Sequence, residues 1–287
     1  MPLSTLLALL AAALLGTAIV LARVGLRHMD AARGALVSIP STALLYWLLA
    51  PLFLEAGAWN AAAFAIFALV GMVFPAIVTL LGFESNRRIG PTITGTVAST
   101  TPLFATLGAL VFLGEPLTAK AAAGTAAIVL GVLALSSSAA GRPRTWAAWL
   151  FVLPLAAAAI RGGAQAAIKG GLAWWPDPFA AALIGYTVST LTIVLANRAW
   201  RLERRAGIRM RGVPWFVGTG LCNGMAVLAM YRALADGAVS IVSPLVATYP
   251  LFTLALSAAF LRDEAIGPRV LAGVVLTLAG VWVLMLR

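Results

Sequence analysis

The sequence predicts an all-α integral membrane protein of ten transmembrane helices, arranged as two inverted five-helix repeats. Three observations carry that reading. Hydrophobic residues make up 62% of the chain and charged ones only 10%, whereas a soluble domain carries roughly 25% charged residues. Apolar runs long enough to cross a hydrocarbon core, about 20 residues each, follow one another with only short polar gaps between them. And one stretch of the chain occurs twice.

The repeated stretch is Ala98 to Gly131, which returns as Val246 to Gly280. Pro102-Leu103-Phe104 matches Pro250-Leu251-Phe252, and Glu115 matches Glu264, or Asp263 with a slip of one residue. Gly124 and Gly131 match Gly273 and Gly280. The first helices of the halves also correspond: Gly16 aligns with Gly162, which brings Arg23 onto Lys169 and Leu26 onto Leu172. Five helices per copy is an odd number, so the second copy must enter the membrane from the opposite side. The expected units are residues 1–138 and 146–287, joined by a short linker at 139–145.

In chain order the expected membrane segments are about 4–22, 33–54, 60–84, 91–113, 117–137, 146–169, 178–197, 213–235, 238–261 and 267–286. Residues 1–22 carry no basic n-region, so the first run reads as a retained helix and not as a signal peptide. The net charge of +11 could suggest nucleic acid. Its basic residues, however, sit in the gaps between apolar runs, as in cytoplasmic loops, and no nucleic-acid partner is expected. Loops after odd-numbered helices hold Arg23, Arg27, Arg33, Arg87, Arg88, Arg142, Arg144, six arginines between 198 and 211, Arg262 and Arg269. The other side has Lys120, Lys169, Arg232 and Arg287. By the positive-inside rule the odd loops are cytoplasmic and both termini lie outside. The single cysteine, Cys222, leaves the redox compartment open.

These residues resemble the drug/metabolite transporter superfamily, in its ten-helix form with two EamA domains. The resemblance covers nearly the whole chain. It rests on the two P-L-F…F-L segments with their acids, on the glycines of helices five and ten, and on Tyr231-Arg232-Ala233-Leu234-Ala235-Asp236-Gly237 leading into helix nine. It implies export or exchange of small metabolites such as amino acids, sugars or their phosphates through a central cavity. Members have cytoplasmic termini, and the charge pattern here points the other way.

Candidate site residues follow from the cost of placing polar groups in lipid, at least ~2.5–3.5 kcal/mol for a charge at the centre. Arg161 lies deep in helix six, and Gln165 and Lys169 follow at i+4 and i+8 to form one polar stripe. The stripe is either a cationic cavity wall, or Arg161 pairs with a neighbouring helix while Lys169 snorkels. Arg232 has Asp236 at i+4, the spacing of a helix-surface ion pair. Alternatively Arg232 and Tyr231 sit beside Arg161, which would favour an anionic or carboxylate-bearing substrate. Glu84, before Arg87 and Arg88, is a proton-coupling candidate or an interfacial salt bridge. Thr96, Thr100, Ser243, Tyr249 and Asn223 are candidate contacts if helices four, eight and nine line the cavity, although intramembrane hydroxyls commonly bond back to their own helix. Pro102, Glu115, Pro250 and Glu264 read as structural parts of the motif. Glu115-Pro116 and Asp263-Glu264 suit the starts of helices five and ten. Gly220 and Gly224, with the heptad-spaced glycines, are expected to allow close helix packing.

The sequence argues against an enzyme. It has one histidine, His28, no G-x-x-x-x-G-K-[ST] loop and no paired aspartates of the D-D-x-x-D kind. No metal and no cofactor are expected. The predicted function is a secondary transporter in the inner membrane, an exporter or exchanger working by alternating access. Its partners are the lipid bilayer and a small-molecule substrate, with amino acids and organic anions among the candidates. A lipid-handling membrane enzyme and a non-transporting subunit are the alternatives.

Overall fold

The computed structural model describes residues 2–54, 59–89, 97–98, 100–137, 148–200, 210–261 and 268–286. Helices α1 (Leu3–Gly25), α2 (Ala31–Phe53), α3 (Ala61–Val73), α4 (Ala76–Ile89), α5 (Thr101–Leu113) and α6 (Ala119–Ser137) come from the first half of the chain. From the second come α7 (Val152–Trp174), α8 (Pro178–Trp200), α9 (Val213–Asp236), α10 (Val239–Val246), α11 (Tyr249–Leu256) and α12 (Pro268–Met285), with a π turn at Ser257–Leu261. No strand occurs among the described residues. Seven segments are long and apolar enough to cross a bilayer, and the shorter apolar helices Thr101–Leu113, Ala119–Ala134 and Val270–Met285 accompany them. This is a helical, multi-pass membrane protein.

Helices α2, α3 and α6 start where short polar side chains take orphan backbone N–H groups. Asp30 accepts from the N–H of Arg33 at 3.0 Å, Asn60 from that of Ala63 at 3.0 Å, and Thr118 from that of Ala121 at 3.1 Å. The interior is small-residue packing, rich in alanine, around a few large side chains such as Tyr46, Phe67, Ile168 and Leu234. Large apolar side chains also lie on the outside, among them Leu48, Leu52, Phe112, Phe260 and Trp282. In water such a surface would be a liability; against lipid it is the expected exterior.

Glycine brings the helices within touching distance. A Cβ on Gly220 of α9 would collide with the Ser38 carbonyl of α2. At that crossing Thr42 Oγ1 donates to the Gly220 carbonyl and Tyr46 Oη to the Gly224 carbonyl, both at 2.6 Å. The repeat glycines make matched contacts between the halves. A Cβ on Gly16 of α1 would lie 2.7 Å from Phe252 Cβ and 2.9 Å from Thr253 N in α11. A Cβ on its partner Gly162 of α7 would lie 2.7 Å from both Phe104 Cβ and Ala105 N in α5. Gly124 of α6 packs on Gly280 and Leu284 of α12, and Gly131 on Gly273 and Thr277.

Three expectations are corrected. The segment expected over 60–84 is one apolar span, Ala61–Gly82, but not one unbroken helix: it is divided where the chain is extended at Phe74 (φ −127°) and Pro75 has no N–H to donate. The backbone N–H of Ala76 exposed by this break is taken by Ser189 Oγ of α8 at 3.1 Å. The sixth segment runs on to Trp174, so Lys169 lies inside the helix and not at its end. Glycine at 171 is tolerated there because its missing Cβ makes room for the Phe67 ring. Glu115 does not cap α6, where Thr118 does that work. Gly114, at φ 65°, ends α5 in the left-handed conformation, and Glu115 Oε2 accepts the N–H of Val239 at 2.9 Å. The carboxylate thus caps α10, a helix of the other half, at its positive dipole end.

Adjacent glycines in α7 allow a controlled test of the cross-half contact. Gly162→Ala pushes a methyl into the α5 backbone and is expected to cost about 1–3 kcal/mol, the usual penalty of overpacking. Gly163→Ala has open space around its Cβ and is expected to be neutral or slightly stabilising. Thermal midpoints of the two purified variants check this.

Candidate functional site

The site is built around two helix breaks at matched positions of the halves. Thr100 (φ −78°, ψ −6°) precedes α5, and Thr248 (φ −75°, ψ 0°) precedes α11, so the two turns have nearly the same backbone. Pro102 and Pro250 follow in the first turn of each half-helix, where their missing N–H costs nothing. At each turn one carbonyl takes both the backbone N–H and the hydroxyl of the threonine: Val97 O accepts from Thr100 N at 3.1 Å and Oγ1 at 2.7 Å, and Leu245 O from Thr248 N at 3.2 Å and Oγ1 at 2.7 Å. Thr101 Oγ1 donates to Ala98 O at 2.8 Å. Thr100 therefore bonds back to its own chain, as intramembrane threonines commonly do.

Helix α7 runs alongside α5 in the same direction. Gly162 lies against Thr101–Ala105, Gly108 faces Ala166, and Gly170 faces Leu113. Arg161 therefore sits at the height of the first turn of α5, and Gln165 one turn further on. The Nε of Arg161 is buried with no hydrogen-bond partner among the described residues. Gln165 is only 4% exposed, and its Oε1 is likewise unpartnered. Helix α10 packs against both α5 and α7 and carries Ser243, 1% exposed, whose Oγ has no partner among the described residues. Buried polar atoms are nearly always bonded. Arg161 and Gln165 thus leave polar capacity unused beside the start of α5, and Ser243 does so on α10, which packs on both helices; groups of this kind suit a small polar or anionic ligand.

The other sequence candidates are spread out. Lys169 Nζ donates to the Gly237 carbonyl at 2.7 Å, which places its charge at the negative end of α9. Arg232 pairs with Asp236 at 3.7 Å on a half-exposed surface, as the i+4 spacing suggested. It lines a pocket at the end of the bundle with Phe53, Asp177 and Phe179. Tyr231 is buried, as are Tyr46 and Tyr186, whose rings meet edge-on at 5.6 Å. Asn223 and Tyr249 are partly buried. The carbonyl of Tyr249 accepts from Thr253 Oγ1 at 3.1 Å and lies against Gly16. Glu84 forms an ion pair with Arg88, whose guanidinium stands 5.5 Å from the centroid of the Trp149 ring. Thr96 and Glu264 lie outside the described residues, as do Thr92, Thr94, Ser99 and Asp263 and the linker at 139–145.

Sequence reasoning passed over Asp177. It is 8% exposed, and its Oδ1 accepts the N–H groups of Phe179 at 2.9 Å and Ala180 at 3.0 Å, capping α8. The stretch Trp174-Trp175-Pro176-Asp177-Pro178 announces a turn. Nothing in it announces a buried carboxylate.

The EamA-like transporter family matches the chain twice, over residues 3–137 and 146–286. No curated protein matches. A crystal structure of a protein 16% identical to this one superposes with a TM-score of 0.80, over 98% of this chain and 96% of its own. At that identity the likeness concerns the fold alone. The double match spans nearly the whole sequence, and the chain belongs to the EamA-like transporter family.

Proposed function

We propose that this chain is a secondary transporter that exports or exchanges small metabolites, such as amino acids or organic anions, across the inner membrane. On this reading ten helices form two inverted five-helix repeats, residues 1–138 and 146–287, that alternate access to a site at the two helix breaks. The matched contacts of Gly16 and Gly162 support the inverted arrangement, because each glycine packs on the broken helix of the opposite half. One observation carries the functional reading. Arg161, Gln165 and Ser243 each keep a buried polar atom with no partner among the described residues, on helices that pack on α5, and discontinuous helices are where secondary transporters bind their solutes.

The guanidinium and the positive end of α5 beside it favour an anionic or carboxylate-bearing solute. The ion pair of Glu84 with Arg88 supports an interfacial role for that carboxylate in place of proton coupling. The arginine-rich loops support a sidedness with odd-numbered loops in the cytoplasm and both termini outside. A peptide tag joined at Arg287 is then reached by antibody on intact spheroplasts. Labelling only after permeabilisation would reverse the orientation.

The transport reading is tested by counterflow in proteoliposomes against pooled amino acids, organic acids, sugar phosphates and nucleosides. Wild-type protein is expected to exchange a carboxylate-bearing or anionic solute saturably. Arg161→Ala is expected to lower that exchange at least tenfold, corresponding to about 1.4 kcal/mol or more. Exchange that survives the substitution would remove Arg161 from the site, and no exchange of any pool by folded protein would count against the carrier.

A further inference from the structure

The end of the bundle away from the arginine-rich loops holds a second polar arrangement. A pocket of about 310 Å³ opens there between the end of α2, the turn from α7 to α8 and the last turns of α9. This volume is at the lower end of the ~300–1,000 Å³ typical of small-molecule sites. Its wall includes Phe53, Asp177, Phe179, Leu228 and Arg232. The two rings lie 5.7 Å apart, tilted at 32°, and with Leu228 make an apolar side.

Asp177 uses only half of its carboxylate. Oδ1 makes both capping bonds to α8, while Oδ2 is buried with no partner among the described residues. Leaving a charged oxygen buried and unbonded is costly, and helix capping does not account for it. A neighbouring ammonium would satisfy it, and aromatic rings suit a cation as well. Arg232, on the same wall, is held loosely. Its contact to Asp236 is 3.7 Å long, beyond a good hydrogen bond, and its side chain is 51% exposed. A guanidinium so held can turn to a carboxylate, which it grips in bidentate fashion.

We propose that this pocket is a binding site for a small zwitterion with an apolar body, of the amino-acid type. The ammonium of the ligand is received by Asp177 Oδ2, its carboxylate by Arg232, and its apolar part by Phe53, Phe179 and Leu228. The site is separate from the buried group at the helix breaks and does not depend on transport, so it is read by binding to the purified full chain in detergent.

Asparagine discriminates ligand binding from capping, because Asp177→Asn keeps an Oδ1 acceptor for α8 while removing the charge. The probes for calorimetric titration are L-leucine, 3-methylbutylamine, which lacks the carboxylate, and 4-methylpentanoate, which lacks the ammonium. Leucine is expected to bind saturably and at least tenfold more tightly than either half-molecule. Asp177→Asn is expected to weaken leucine at least tenfold with an unchanged thermal midpoint. Arg232→Gln, at a half-exposed position where folding is not at risk, is expected to bring leucine down to the level of the amine. Absence of leucine binding overturns the proposal, as does equal leucine affinity in Arg232→Gln. So does leucine binding that is lost in Arg161→Ala and kept in Asp177→Asn.

Discussion

A helix that breaks inside a membrane leaves backbone groups that water cannot reach, and the protein must satisfy them itself. Much of this structure follows from that constraint. The break before α5 is closed by Thr100 on Val97, that before α11 by Thr248 on Leu245, and that between α3 and α4 by Ser189 on Ala76. The start of α10 is closed from the other half by Glu115. Side chains that elsewhere would be free to bind solute are here committed to holding the backbone. Of the buried polar atoms left without a partner among the described residues, those on Arg161, Gln165 and Ser243 bear on the region of the breaks.

The two halves are also bound to each other through the broken elements. Gly16 lies on α11 and Gly162 on α5, so each half braces the break of the other. Glu115 makes the same kind of link from the end of α5 to the start of α10. A rearrangement of one half against the other must then be felt at both breaks. On the proposed reading, contacts of this kind would couple a solute at the breaks to the packing of the bundle, since tightly packed interfaces switch between discrete arrangements and do not deform smoothly.

Much of the fold was legible because hydrophobic length and glycine spacing are local signals. The Gly16–Gly162 alignment came from sequence, and both residues make the same contact in the structure. The Arg232–Asp236 pair was likewise visible in its i+4 spacing. Features that depend on distant residues were not. Glu115 stands next to Pro116 and reads as a local helix start, but its acceptor oxygen meets Val239, which no local pattern reveals. Pro75 was present in the third segment, yet the fate of that helix depended on whether Ser189 could receive the broken end. Asp177 gave a turn signal only; that one of its oxygens is buried and unused is a matter of packing between α2, α8 and α9.

The central claim is that the region of the two breaks is a solute cavity opened in turn to each side of the membrane. Ser243, 1% exposed, is a deeply buried polar marker of it, and Cys222 is the one native cysteine to be replaced. The direct measurement is reaction of Ser243→Cys, in a Cys222→Ala background, with a small membrane-impermeant thiosulfonate. Reagent is added separately to right-side-out and inside-out vesicles. Alternating access predicts modification from both sides. Modification from neither side would mark Ser243 as part of a dry, static core and contradict the account.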